Sequence, residues 1–206
     1  MDKIPIILLA AGGSSRMGKP KQLLQWGKQT LIEYQLSVLR QTGSPVLVVL
    51  GAEAEKIIPL TQKKEAHFIV NKDWGTGMGS SIAAGVKEVS VLFPNAGAVM
   101  VALLDQPLVP VSHYSELLKT FQPGQQQIIA SQSEQGWLGV PAIYDRCYFQ
   151  ELMQLSQEQG AKKLIKNYPS RVLGINAGAF LEDVDTQESY LRILRVWKKE
   201  NNIDFY

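Results

Sequence analysis

The chain has 206 residues, 45% hydrophobic and 19% charged, with a formal net charge of +2. This is enough apolar material for one substantial core, and too even a charge balance to point to nucleic acid or a membrane surface as partner. One cysteine, Cys147, excludes an internal disulfide, and no Cys/His cluster has zinc or iron–sulfur spacing. The first apolar run, Ile4 to Ala11, is too short to span a bilayer and lacks a long export-type segment, so a cytoplasmic location is expected.

That first run reads as a strand buried on both faces, because its apolar residues continue without alternation. Thr30 to Gln41 predicts a helix with Leu31, Tyr34, Leu36, Val38 and Leu39 on one broad face. "SPVLVVLG" is a second buried strand, Glu53 to Gln62 includes a short helix, and "AHFIVN" is a third strand. The glycine-rich "WGTGMGSS" then leads into a helix through Ala84 and Val86, and "AGAVMVALLDQP" restores the strand signal before a proline turn. Further on, "QQQIIASQ" and "WLGVPAIY" read as strands on either side of a turn, and Cys147 to Leu155 and Ala161 to Asn167 as helices. "RVLGINA" and "AFLEDV" suggest short strands, and an amphipathic helix is expected from about Thr186 to Lys199. Strand–loop–helix alternation of this kind predicts an α/β fold, a three-layer Rossmann-like sandwich around a mostly parallel central sheet. No linker or repeat calls for more than a single domain over residues 1–206.

In such sheets ligands gather beyond the carboxyl ends of the strands, where both glycine-rich loops and Asp105 are predicted to lie. The first loop stands in "LLAAGGSSRMGKPKQLL", Leu8 to Leu24. Gly12 and Gly13 permit a tight turn and close backbone approach to a ligand, and consecutive amides there form a concave anion nest. Arg16 offers phosphate oxygens a rigid fork and Lys21 a mobile point charge, with Lys19 as a nearer-surface alternative. The spacing is neither that of a P-loop nor that of a dinucleotide-binding fingerprint.

Asp105, directly after a buried strand, can direct a carboxylate into the same space; its ordinary alternative is a turn aspartate before Gln106-Pro107. Asp183 and Asp185 alternate along an expected strand, so both can face one side; Asp183 is assigned to the site. Asp185 is assigned to the cap of the last helix, with Glu188 as reciprocal partner. Ser80 and Ser81 either cap their helix or meet a ligand. Trp74 either stacks beside a ring or covers the sheet edge. Gly139 and Pro141 either shape a second pocket or interrupt the sheet, and Lys162 and Lys163 bring positive charge to that half.

The segment "LAAGGSSRMGKPKQL" resembles the signature loop of the MobA-like nucleotidyltransferases, above all the molybdenum cofactor cytidylyltransferase branch, whose opening is "LAAG" where the guanylyltransferase branch usually has "LAGG". "NKDWGTGMGSSIAAG", "LLDQP", the Gly-x-Pro of Gly139 to Pro141, "QGAKKLI" and "LEDVDTQESY" resemble further family segments in the expected order, over most of the chain. The family's acidic Gly-Asp-x-Gly-Ala-Arg-like segment is altered to "SQEQGAKKL", with Lys162 in the usual arginine position.

The resemblance implies a nucleotide-side half over about residues 1–110 and an acceptor-side half over about 111–206. It implies nucleotide binding by Ala10, Ala11, Gly12, Gly13, Ser14, Arg16, Lys21, Gly79, Ser80 and Ser81. Arg16, Lys21, Asp105 and Asp183 would serve catalysis, with Mg2+ held by Asp105 and Asp183. The implied reaction transfers CMP from CTP to the terminal phosphate of molybdopterin or molybdenum cofactor, releasing pyrophosphate. A molybdoenzyme or insertion chaperone would receive the product. The alternatives are another nucleotide or phosphorylated acceptor, or a non-catalytic accessory to cofactor insertion.

Overall fold

The computed structural model describes residues 3–13, 17–61, 66–156 and 160–202. In chain order the strands and helices are β1 (Ile6–Ala10), β2 (Gln25–Trp26), β3 (Gln29–Thr30), α1 (Leu31–Arg40), β4 (Val46–Leu50), α2 (Ala54–Thr61), β5 (His67–Val70) and α3 (Met78–Leu92). They continue with β6 (Ala98–Leu103), α4 (Val111–Thr120), β7 (Ile128–Ser133), β8 (Leu138–Asp145), α5 (Phe149–Met153), α6 (Lys162–Asn167), β9 (Val172–Gly178) and α7 (Gln187–Glu200).

Seven strands form one sheet in the order β5-β4-β1-β6-β8-β7-β9. β1 runs parallel to β4 and β6, β4 to β5, and β7 to β9, whereas β8 is antiparallel to both β6 and β7. The sheet is therefore mixed but mostly parallel, flanked by helices, as expected for a Rossmann-like sandwich.

The uninterrupted apolar runs have a simple cause. Alternate residues of each strand enter opposite layers. Ile6, Leu8, Val46, Val48, Ala98 and Met100 pack with Leu31, Leu36 and Leu39 of α1, Tyr114 and Leu117 of α4, and Ile193 and Trp197 of α7. Ile7, Leu9, Leu47, Val49, Val99 and Val101 pack with Ile82 and Val86 of α3, Leu152 of α5 and Leu164 of α6.

α1 begins at a reciprocal cap, in which the Thr30 hydroxyl accepts from Glu33 N and the Glu33 carboxylate accepts from Thr30 N. Several local expectations need correction. "AFLEDV" is not a strand: Ala179–Leu181 form a 3-10 turn, followed by extended chain outside the sheet. α7 is capped one residue later than expected, by Thr186 with Ser189, so Asp185 and Glu188 do not form the reciprocal cap. α5 ends at Met153, short of Leu155. The stretch after Pro107, for which the sequence pattern set no element, forms α4 and buries His113, Tyr114 and Leu117.

Candidate functional site

β1 lies where the strand order reverses. The chain steps from β1 to β4 and β5 on one side, then returns across it to β6 on the other. The loops after β1, β4, β5 and β6 consequently open at one edge of the sheet, in the crevice at a topological switch point. There Leu9, Ala11, Gly12, Gly13, Trp74 and Asp105, with the start of α3, line a cleft of about 300 Å³.

The glycine-rich wall is held by a residue that the sequence reading passed over. Gln22 is buried, and its Nε2 donates to Ala10 O at 2.5 Å and to Gly12 O at 3.3 Å, tying the two ends of the turn together. The β4 loop packs against the turn just as closely. A Cβ at Gly51 would lie 2.5 Å from Ala11 O and 2.6 Å from Trp74 Cβ and Cγ, so only glycine fits there. Trp74 thus lies against Gly51 and, through its six-membered ring, against Gly13, and forms a wall of the cleft.

α3 enters the cleft N-terminus first. Gly77 is its N-cap with no side-chain bond, and no acidic residue stands in the first turn. Orphan amides and the positive end of the helix dipole there suit an anion. Ser80 and Ser81 do not cap the helix. They lie in its first turns, and Asn71 Nδ2 donates to both hydroxyl oxygens at 3.0 Å, fixing the β5 loop to α3.

Opposite this wall, Lys21 joins two distant loops. Its Nζ donates to Asp105 Oδ2 at 3.0 Å and to Asp185 Oδ1 at 2.7 Å. Burial alone would lower the Lys21 pKa, but the Asp105 and Asp185 carboxylates outweigh it and raise the pKa above its ordinary value. The late acidic segment is docked by Val184 N donating to Asp105 O at 2.8 Å. Val184 is fully buried while Asp183 and Asp185 on either side are exposed, which brings all three carboxylates into one neighbourhood. Asp183 is exposed as a residue, yet its carboxyl is partly desolvated. That desolvation, with the Asp105 and Asp185 charges added, pushes its pKa up to about 6.

A second buried glutamine, also unnoticed in sequence, sets the position of Asp105. Gln35 Nε2 of α1 lies 3.2 Å from Leu103 O, 3.2 Å from Leu104 O and 3.1 Å from Gln106 O. The only signal for Gln22 and Gln35 was a polar residue at a position whose neighbours in the helical or apolar pattern are buried. Of the other sequence candidates, Lys19 is exposed, and Ser14, Arg16 and the altered 157–159 segment lie outside the described residues. Among the described residues, no group of three or more His, Cys, Asp or Glu is arranged to hold a metal ion by itself, and no helix is long and apolar enough to cross a membrane.

Comparison with known proteins places this geometry. The family model described as the MobA-like NTP transferase domain matches residues 6–172. A nicotine blue oxidoreductase from Paenarthrobacter nicotinovorans is 32% identical over 197 residues, 91% of this chain and 95% of that protein. A molybdenum cofactor guanylyltransferase from Xanthomonas euvesicatoria pv. vesicatoria is 30% identical over 130 residues, 62% of this chain and 59% of that one. The crystal structure of Rv0371c from Mycobacterium tuberculosis H37Rv superposes with a TM-score of 0.83 at 28% identity, covering 94% of this chain and 98% of that one. Rv0371c is also known as a manganese complex.

Proposed function

The chain belongs to the MobA-like NTP transferase domain family, and from that premise we propose that it transfers a nucleotidyl group from a nucleoside triphosphate to a phosphorylated acceptor. The observation that carries this reading is the Lys21–Asp105–Asp185 cluster at the mouth of a glycine-walled cleft beyond the sheet's carboxyl edge. In its finer form the donor is CTP and the acceptor is the terminal phosphate of molybdopterin. Ala11 at the position that resembles the cytidylyl branch supports CTP; the guanylyltransferase relative makes GTP the competing donor.

The acceptor phosphate is already an anion, so attack on the α-phosphorus needs no dedicated base. One P–O bond forms as the bond to the departing pyrophosphate breaks, leaving a new phosphoanhydride. The chain's part is orientation and charge compensation. The turn amides of Gly12 and Gly13 and the N-terminus of α3 hold phosphate oxygens, with Ser14 and Arg16 of the same loop as further donors. Lys21, anchored on Asp105 and Asp185, supplies a fixed positive charge.

The residues fit a divalent ion. Asp105, Asp183 and Asp185 are hard oxygen donors, two of them on the Lys21 ammonium and the third beside Asp105, and magnesium commonly needs only one or two protein carboxylates when phosphate supplies other ligands. Asp105 and Asp183 would hold it, because Asp183 makes no ion pair with Lys21 at bonding distance, as Asp105 and Asp185 do, and its carboxyl lies close enough to Asp105 to feel that charge. When bound, such an ion would polarise the reacting phosphoryl group and screen its charge.

The test is magnesium-dependent pyrophosphate release with molybdopterin and either CTP or GTP, with the product mass determined. A cytidine-linked product is expected, and Asp105→Asn is expected to keep its fold while losing turnover by about a hundredfold or more. Nucleotide binding without any product would favour an accessory role in cofactor insertion instead. The oxidoreductase relative, which covers nearly the whole chain, motivates a second reading as a redox protein. Oxidation of NADH or NADPH with an aromatic electron acceptor, without triphosphate, would favour that reading over nucleotidyl transfer.

A further inference from the structure

The acceptor-side half contains an aromatic–cation pair that the chemistry above does not use. Trp137, just before β8, is 39% exposed. Lys162, the first residue of α6, places its Nζ 4.5 Å from the centroid of the Trp137 ring. Both side chains close over Gly139, where a Cβ would come 2.8 Å from Trp137 Cζ3 and 3.1 Å from Lys162 Cε. Any larger residue would push the pair apart, so the role of Gly139 is to let the two meet.

The arrangement gives the lysine a property it lacks alone. A lysine is a point charge on a flexible stem, and an indole face attracts and orients that charge without neutralising it. Among the described residues Lys162 makes no carboxylate pair. It therefore combines a defined position with an intact charge.

The chain leading into Lys162 reaches the nucleotide cleft. Gly160, two residues before Lys162, lies against Met78: a Cβ on it would be 3.5 Å from Met78 Sδ. Met78 lines the cleft beside Asp105 and is itself 46% exposed.

We propose that Trp137 and Lys162 form the specificity-determining subsite for the acceptor, the exposed part of the indole that Lys162 does not cover receiving a planar heteroaromatic ring and the Lys162 ammonium an anionic group attached to it. The subsite rests on the nucleotidyl-transfer reading for its purpose, but not for its ability to bind.

The test uses the full chain and pterin-6-carboxylate, a stable fluorescent planar anion, with ribose 5-phosphate as an anion lacking the ring. Magnesium-CTP and magnesium-GTP are titrated separately. Wild type is expected to quench the pterin on binding, and Trp137→Ala to weaken that binding about tenfold or more, since stacked aromatic contacts carry effects of this size. Lys162→Gln is expected to weaken it about threefold to tenfold, and Trp137→Phe to retain most of it, while nucleotide binding stays unchanged in all three variants. Should Trp137→Ala fail to fold, Trp137→Phe and Lys162→Gln decide the matter. No pterin binding to wild type, binding indifferent to both positions, or ribose 5-phosphate binding as strongly as the pterin would each overturn the subsite. Pterin binding that needs Trp137, in a protein that binds no triphosphate, would uphold the subsite and refute nucleotidyl transfer.

Discussion

Replacing Gln35 by leucine isolates what holds Asp105 in place. In the native protein one buried side-chain amide nitrogen faces the carbonyls of Leu103, Leu104 and Gln106 at 3.1–3.2 Å. Leucine has similar bulk but no donor, so those carbonyls lose their side-chain partner in a site that water does not reach. Leaving a buried polar group unsatisfied costs about 1–3 kcal/mol. Two terms reduce the loss. Gln106 O keeps its bond from Val109 N at 3.3 Å, and Gln35 Oε1, which has no hydrogen-bond partner, is removed together with its own desolvation cost. The net expectation is a destabilisation of about 1–2 kcal/mol, read as a lower urea midpoint with an unchanged denaturant slope. Because the released carbonyls flank Asp105, magnesium-dependent nucleotide affinity should fall as well, measured by calorimetry well below the unfolding transition. A Gln35→Leu protein as stable as wild type, with unaltered nucleotide affinity, would refute the claim that this amide positions the carboxylate.

Gly51→Ala should both destabilise the protein and disturb the cleft. The new Cβ meets Ala11 O at 2.5 Å and Trp74 at 2.6 Å, and overpacking of this kind costs about 1–3 kcal/mol; thermal unfolding and a nucleotide titration check the two effects, and a variant that matches wild type in both contradicts the packing. Asp183 makes a pH prediction of definite sign. Its pKa is raised from 3.8 to about 6 in the folded protein, so the native state holds its proton more tightly than the unfolded chain and stability falls as pH rises through that window. Asp183→Asn should flatten this fall in a series of urea melts, and manganese binding by wild type should strengthen as pH passes about 6; a fall of equal size in the variant would place its origin elsewhere.

Some of this molecule is legible in the sequence because it depends on local repetition. The doubly apolar runs of β1, β4 and β6 signal strands covered on both faces, and strand–helix alternation then implies parallel neighbours with their loops at a common edge. The sequence pattern alone therefore puts the glycine-rich turn, the α3 entrance and Asp105 at one edge of the sheet. Apolar periodicity also located α1 and α7 to within a residue or so, although the cap of α7 is Thr186 where Asp185 was expected. The pattern failed where tertiary context supplies the stabilisation. α4 buries only His113, Tyr114 and Leu117 among polar residues, too narrow a face to announce a helix. "AFLEDV" is apolar enough for a strand, but the sheet gives it no partner.

The sequence by itself determined the layers of the fold and the chemical inventory of the cleft, because burial periodicity and residue type are properties of neighbouring positions. Only the tertiary structure decided which charges meet. Lys21 and Asp185 are 164 positions apart, and no spacing rule connects them. They meet because Val184 docks on the backbone of Asp105 and the α7 cap falls on Thr186, freeing the Asp185 carboxylate for the lysine. The buried glutamines that fix the turn and Asp105 were likewise silent in sequence, because a glutamine reads as surface until the fold surrounds it with carbonyls that need a donor.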